Sequence, residues 1–201
     1  MVQEQRNRGR PASIDTTAAM DAVVELFRSK GYDAVSLDDL SDATGLSRPS
    51  LYRAFGNKLS MYVSAMDAFG SQVAATAVPV LRDREDLEAA LAGFYDAMLD
   101  IYYRDSAMAP GCLVFATAPS SAAIEEIQSR LEFGIEQLDA LMRRRIQRSA
   151  PNADRDHIQA ATQIASNSLS AFSARAMSGT LKSDLSQMGQ QAAKSIIQIL
   201  R

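Results

Sequence analysis

Along residues 16–30 the apolar positions Ala19, Val23, Leu26 and Phe27 recur at three- and four-residue intervals among polar neighbours. That period puts them on one face of an α-helix. Asp15 stands where the N-cap belongs, and Gly31 ends the stretch. The segment "SLDD" offers Ser36 as the next N-cap, with Asp39 three residues on in a capping-box pattern, for a short helix over 37–43. Gly45 suits a left-handed turn. Ser47 then caps a second short helix, 47–55, which Gly56 closes, and Asn57 caps a third, longer one running toward Pro79. Further helices are predicted near 84–105, 110–118, 120–149, 154–178 and 183–200, with Pro110, Pro119, Pro151 and Gly179 at the joints. No stretch alternates as a strand does, and no Asn-Gly or Asp-Gly hairpin signal occurs. The expected fold class is all-α with about nine helices.

Two short helices joined by a glycine-containing turn, with a longer helix in front, form a helix-turn-helix arrangement. In that motif the second helix enters the major groove by its N-terminal residues, which is reason enough for 47–55 to be short. Pro49 lies in the first turn, where its missing N–H costs nothing. Arg48 is long enough to fork onto a guanine edge, and Ser50 can serve a base edge or a phosphate. Leu51 and Phe55, four apart, face inward, while Tyr52 on the flank can offer its hydroxyl to a phosphate. Lys58 opens the following helix, where its ammonium and unpaired backbone N–H groups both attract phosphate. Taken singly, Arg48 and Lys58 would be ordinary solvated charges; the full set at this spacing is what points to DNA.

The net charge of −3 argues against nucleic acid only if it is spread evenly. Residues 1–60 balance eight bases against eight acids, whereas 61–201 hold thirteen bases and sixteen acids. The first ten residues carry Arg6, Arg8 and Arg10 against Glu4. The leader segment "RNRGRP" has no apolar residue with which to fold: it reads as a frayed terminus in isolation and as a basic arm that orders along a minor groove on DNA. The rest of the composition, 47% hydrophobic and 22% charged, is that of a globular protein. A chain this long buries roughly 70% of its unfolded surface and needs no staples. Apolar runs are too short for a membrane span, the N-terminus has no apolar signal core, and the lone Cys112 has no partner for an internal disulfide; the cytoplasm is the expected compartment.

The segment "VSLDDLSDATGLSRPSLYRAFGNK" resembles the DNA-binding part of the TetR family of transcriptional regulators, and "RGRPASID" with the later "GCLVFA" resembles one branch of it, with a Gly-Cys pair at the start of the sixth helix. The resemblance is strong over about residues 10–60 and elsewhere rests on length and helical character. It implies a flexible basic arm over 1–10, a helix-turn-helix domain over 11–57, and a helical ligand-binding and dimerisation domain over 58–201. It also implies a dimer built from roughly 154–178 and 183–200 and a palindromic double-stranded operator. The DNA-contacting set it implies is Arg8, Arg10, Ser36, Ser47, Arg48, Pro49, Ser50, Tyr52 and Lys58. Three features depart from the family pattern: Leu59 where an acid is frequent, Ala54 at a position that contacts DNA in some members, and the acids Asp38, Asp39 and Asp42 ahead of the turn. An acid facing DNA would repel phosphate and shift more of the binding onto Arg48, Lys58 and the arm.

For the back domain the resemblance implies a pocket for a small apolar or aromatic ligand. Tyr95, Met98, Tyr102, Cys112, Phe115, Phe133 and Phe172 are its candidate lining, although aromatic and Met residues at helical spacing are more often plain core. Cys112, after a glycine at a helix start, sits where a thiolate is favoured. In dimerisation, Ala161, Ala165, Ser168, Ala171 and Ala174 permit close helix approach, and Ile196, Ile197 and Leu200 supply apolar area. "MRRRIQR" at 142–148 reads as a solvated helix end. Catalysis finds no support: His157 is the only histidine, and no zinc spacing, phosphate-binding loop or nucleophile elbow occurs, so no metal or cofactor is expected. The reading is a ligand-released repressor. The alternatives are a redox-sensing or ligand-independent regulator or activator and, from another class, a helical protein–protein scaffold.

Overall fold

The computed structural model describes residues 15–104 and 109–201. Among these residues the chain folds into nine α-helices and no strand: α1 Thr16–Ala34, α2 Leu37–Thr44, α3 Arg48–Phe55, α4 Lys58–Thr76, α5 Val78–Asp83, α6 Leu87–Tyr102, α7 Glu125–Ser149, α8 Arg155–Met177 and α9 Lys182–Ile199. The caps read from sequence hold at several starts. The Asp15 carboxylate accepts from Thr17 and Ala18 N–H, and Asn57 Oδ1 accepts from Ser60 N–H at 2.8 Å. Ser36 and Asp39 form a reciprocal capping box.

Boundaries shift where local chemistry differs from the pattern. Gly31, at φ 76°, breaks α1 without ending it, and one further turn follows. The expected long helix toward Pro79 splits at Ala77, and Pro79 sits in the first turn of α5. The expected helix 84–105 starts late because Asp86 caps it, accepting from Ala89 N–H at 2.7 Å. In place of a helix over 110–118 stands a single π-helical turn, Leu113–Thr117, followed by a 3₁₀ turn, Ala118–Ser121. Pro119 lies in that second turn and α7 begins only at Glu125.

The core is one continuous cluster. Phe27 of α1 meets Tyr62 of α4 edge to face, ring centroids 5.0 Å apart. Helix α6 is the axis of the back of the molecule: nine of its sixteen residues are buried, so it is covered on more than one side. Helix α9 packs closely on it because Gly189 lies against Tyr95, where a Cβ would come within 3.1 Å of the Tyr95 Cβ. Tyr95 in turn meets Phe172 of α8 edge to face at 5.3 Å.

Two buried arginines tie helix ends together. Arg28 of α1, 1% exposed, donates from Nη2 to the carbonyls of Ile101 (3.1 Å), Tyr102 (3.3 Å) and Gly111 (2.9 Å), and from Nε to Gly111 (3.1 Å). Its Nη1 reaches Glu25 at 2.6 Å, and its face lies over the Phe69 ring. The last-turn carbonyls of α6 lack intrahelical partners, and Arg28 supplies them from the first helix of the chain. Arg145 of α7 does the same for the end of α5, donating to the carbonyls of Leu81 (2.8 Å), Arg84 (2.9 Å) and Glu85 (3.1 Å). Burial, and next Arg148, lower its pKa. The "MRRRIQR" segment is therefore not wholly a solvated helix end: Arg145 is buried and Arg148 donates to the Arg82 carbonyl.

Arg28→Leu leaves three buried carbonyls and Glu25 without their donor, and should cost about 3 kcal/mol or more. Chemical denaturation at fixed protein concentration measures it. Arg28→Lys, with fewer donors in a different geometry, should recover only part of the loss.

Candidate nucleic-acid interface

Helices α2 and α3 meet through Gly45, which is left-handed at φ 69° and donates its N–H to Ser41 O at 2.9 Å. Leu40 of α2 and Leu51 of α3 are both 0% exposed and anchor the pair to the core. With Leu51 inward, the opposite side of α3 faces solvent: Ser47, Arg48, Pro49, Tyr52, Arg53 and Ala54 are exposed. Pro49 occupies the first turn as expected. Tyr52 is 47% exposed, too open to be core packing. Arg53 was not singled out from sequence; its signal was its place one position past Tyr52 on an amphipathic turn.

The hydroxyls are already engaged. Ser36 Oγ donates to Asp39 Oδ2 at 2.6 Å and accepts from Asp39 N–H at 3.1 Å. Ser47 holds the N-cap position of α3 but makes no side-chain bond to the helix backbone; its hydroxyl meets Ser50 Oγ at 3.0 Å instead. The expected cap is thus absent, and Ser47 and Ser50 form one polar unit at the start of α3. The three acids of α2 have different neighbours. Asp39 is bonded first by Lys30 and then by Ser36, which hold its carboxyl well below the usual range. Asp38 takes Arg48: Nε at 2.9 Å and Nη2 at 2.5 Å, both on Oδ1. Asp42 is exposed.

Lys58 departs most from expectation. Its ammonium turns inward, donating to Val35 O at 2.7 Å and lying 4.6 Å from the Tyr32 ring centre. The carbonyl is the acceptor left open where the chain leaves α1, and it draws in the nearest cation. Arg8 and Arg10 lie outside the described residues.

Of the candidate pocket residues, Tyr95, Met98, Tyr102, Cys112 and Phe172 enter the closed core, and Phe115 packs half-buried against it. Phe133 does not: it is 52% exposed on the outer side of α7, which corrects its assignment to the interior. Inside the cluster, Tyr95 donates to Ala165 O at 3.1 Å, whereas the hydroxyls of Tyr102 and Ser166 are buried without a hydrogen-bond partner among the described residues. Cys112 is 2% exposed, its N–H held by Ser173 Oγ at 2.8 Å. Burial pushes its thiol up, against the thiolate that a helix start would favour, and a single π-helical turn supplies little dipole. Two open grooves occur elsewhere, of about 600 and 960 Å³, and neither is lined by a candidate pocket residue. In the smaller, Arg82 is closed on Asp83, and Arg145 and Arg148 are spent on carbonyls.

The proposed dimer helices also divide. Ala161, Ala165 and Ile196 are 0% exposed within the protomer, so they are core and not interface. Ala171 and Ala174 are exposed, as is Ile164 on the same helix, and Ser168, Ile197 and Leu200 are half-buried. Among the described residues no group of His, Cys, Asp and Glu could hold a metal, and no helix is long and apolar enough to cross a membrane.

Residues 19–65 match the family model described as bacterial regulatory proteins, tetR family. The chain is 34% identical over 99 residues to the HTH-type transcriptional repressor ComR of Escherichia coli, covering 49% of this chain and 47% of that one. It is 35% identical over 85 residues to the HTH-type transcriptional repressor BdcR of the same organism, covering 41% and 43%. It is 32% identical over 79 residues to the HTH-type transcriptional activator FasR of Mycolicibacterium smegmatis, covering 37% and 36%. The chain spans about half the length of the curated relatives it matches, or less. A cysteine mutant of the TetR family regulator CifR, solved in complex with 26bp double-strand operator DNA, shares the fold at TM-score 0.80 and 24% identity, covering 92% of this chain and 99% of that one. A TetR transcriptional regulator from Legionella pneumophila does so at TM-score 0.74 and 15% identity, covering 92% and 98%.

Two outcomes follow from the site's geometry. Lys58→Met should lower stability by about 1–2 kcal/mol in the absence of DNA, read by chemical denaturation, because Val35 O loses a charged donor. Cys112 should react with a maleimide in the native protein only as fast as the core opens, and readily once unfolded; rapid native labelling would show an accessible thiol.

Proposed function

We propose that the chain is a member of the tetR family of bacterial regulatory proteins, whose family model its residues 19–65 match, and that it is a DNA-binding transcriptional regulator acting as a dimer on a palindromic operator. The observation that carries the reading is the solvent-facing side of α3, with Arg48, Pro49 and Tyr52 exposed and Ser50 half-buried beside them while Leu51 locks the helix to the core. A short helix anchored on one side and polar on the other can lie in a major groove. We take the DNA-contacting set to be Ser36, Ser47, Arg48, Pro49, Ser50 and Tyr52, with Arg53 added and with Lys58 acting chiefly by holding α4 to the end of α1. Arg8 and Arg10 remain proposed contacts of a basic arm. A protein bound to the chromosome works in the cytoplasm of a bacterial cell.

The dimer is proposed to use the exposed stripe of α8, Ile164, Ser168, Ala171 and Ala174, with the outer side of α9 beside it. Two recognition helices related by a two-fold axis then meet successive major grooves on one face of the duplex, about 34–36 Å apart. Two relatives are named repressors and one an activator; we favour a repressor released by a small apolar or aromatic ligand. Support for a ligand comes from the Ser166 hydroxyl, buried in an apolar interior without a partner among the described residues, and from the Tyr102 hydroxyl, which has only the Cys112 thiol beside it, since such groups ordinarily find full partners. The end of α6 that carries Tyr102 is bonded to Arg28 of α1. A ligand that moves that end therefore acts on the DNA-binding helices, by its difference in affinity for the two arrangements and no more. The closed, raised Cys112 thiol disfavours the redox-sensing alternative.

Two measurements test the reading. Arg48→Ala should cost about 1–3 kcal/mol on an operator selected from random duplexes and much less on random DNA; equal losses on both would mean that Arg48 touches only phosphate. Ala171→Glu should leave helical content intact, halve the mass in solution and abolish tight operator binding, because one recognition helix reads only a half-site. Truncation of α9 is no substitute, as its Leu185, Ala193 and Ile196 belong to the protomer core.

A further inference from the structure

The pairing of Arg48 with Asp38 carries an inference that rests on the DNA-binding reading above and deepens it. Arg48 is the first residue of α3, and Asp38 lies in the first turn of α2, so the Gly45 turn brings the two helix starts side by side. Both side chains are open to water, 54% and 70% exposed. An exposed ion pair of this kind adds little to folding, so stability is a poor reason for it. A lone carboxylate beside a recognition helix would also repel phosphate. Its neighbour Asp39 is fully occupied by Ser36 and Lys30, which leaves Asp38 as the first-turn acid turned toward α3.

The geometry of the contact is informative. Arg48 gives Nε and Nη2 to one oxygen, Asp38 Oδ1, at 2.9 and 2.5 Å. A guanidinium is planar and carries five N–H donors in a fixed fork. With the Nε side taken, one N–H of Nη2 and both of Nη1 remain, and together they present the end-on fork that matches O6 and N7 of guanine. The pair also orders a four-torsion side chain before it meets DNA, so less rotamer freedom is lost on contact. Tyr52, one turn on along α3, stands beside the same guanidinium. We propose that Asp38 is a positioning residue: it holds Arg48 end-on for a guanine in the operator and so sets sequence specificity from the neighbouring helix.

The test starts from duplexes selected out of a randomised library by the wild-type protein. The guanine read by Arg48 is the one whose replacement by adenine no longer matters to Arg48→Ala. Affinities for the selected, adenine-substituted and random duplexes are then measured for wild type, Asp38→Asn, Arg48→Ala and the double variant, with thermal midpoints as the folding control. Asp38→Asn should lower guanine-over-adenine discrimination at that position about tenfold, leave or raise affinity for random DNA, and change nothing further in the Arg48→Ala background. A uniform gain on all three duplexes with discrimination intact would make Asp38 a repelling charge only and overturn the proposal. So would an equal loss of discrimination in the Arg48→Ala background. Failure of the wild-type protein to select any sequence would instead sink the DNA-binding reading itself, and the inference with it.

Discussion

Arg28 is the interaction on which the rest of the molecule depends. It is a buried cation contributed by the first helix, and its donors are spent on carbonyls at the end of α6 and at Gly111, more than seventy residues away. Burying a guanidinium is costly unless its donors are used. Here nearly all are, and the acceptors are ones that a helix end leaves open in any case. The contact fixes α1 against α6 and against the turn that leads to Cys112. The three helices proposed to face DNA are thereby joined to the helices proposed to hold a ligand by hydrogen bonds as well as by apolar contact. Further polar links lie nearby: Tyr62 with Thr117 at 2.6 Å, and Ser121 donating to Asp33 at 2.8 Å. Apolar contacts tolerate small slips, whereas a fork of directed bonds does not. This junction ties the two parts by directed bonds.

What the sequence disclosed was local. Asp15, Ser36 with Asp39, Gly45, Gly56 and Asn57 are read from side-chain chemistry within three or four residues of the backbone groups they serve, and they marked α1 to α4 closely. The motif "GLSRPSLYRAF" follows from the same short-range rules: Leu51 anchors, Phe55 packs half-buried against the core, Pro49 starts the helix, and Arg48, Tyr52 and Arg53 face out.

What the sequence did not disclose was non-local. Arg28 read as an ordinary polar residue of an amphipathic helix, because its partners are backbone carbonyls and carry no sequence signature. The same holds for Arg145 within "MRRRIQR" and for Lys58, whose acceptor is the carbonyl of Val35. Near Cys112 the left-handed Gly111, φ 73°, and Pro119 leave room only for a π-helical turn and a 3₁₀ turn where periodicity suggested a helix. The residues expected to pack between protomers divide because small residues on α8 occur on both of its sides: Ala161 and Ala165 serve the protomer core, while Ala171 and Ala174 face out. Residue type alone cannot tell those faces apart, but burial can.

Two copies of α3 are proposed to read one duplex symmetrically. Hydroxyl-radical footprinting of the purified protein on a duplex it has selected tests this most directly. The account predicts protection in two equivalent half-sites, their centres about one helical turn apart and on one face of the DNA, related by a two-fold axis. Protection of a single half-site at saturating protein, or an asymmetric pattern on a palindromic duplex, would contradict it.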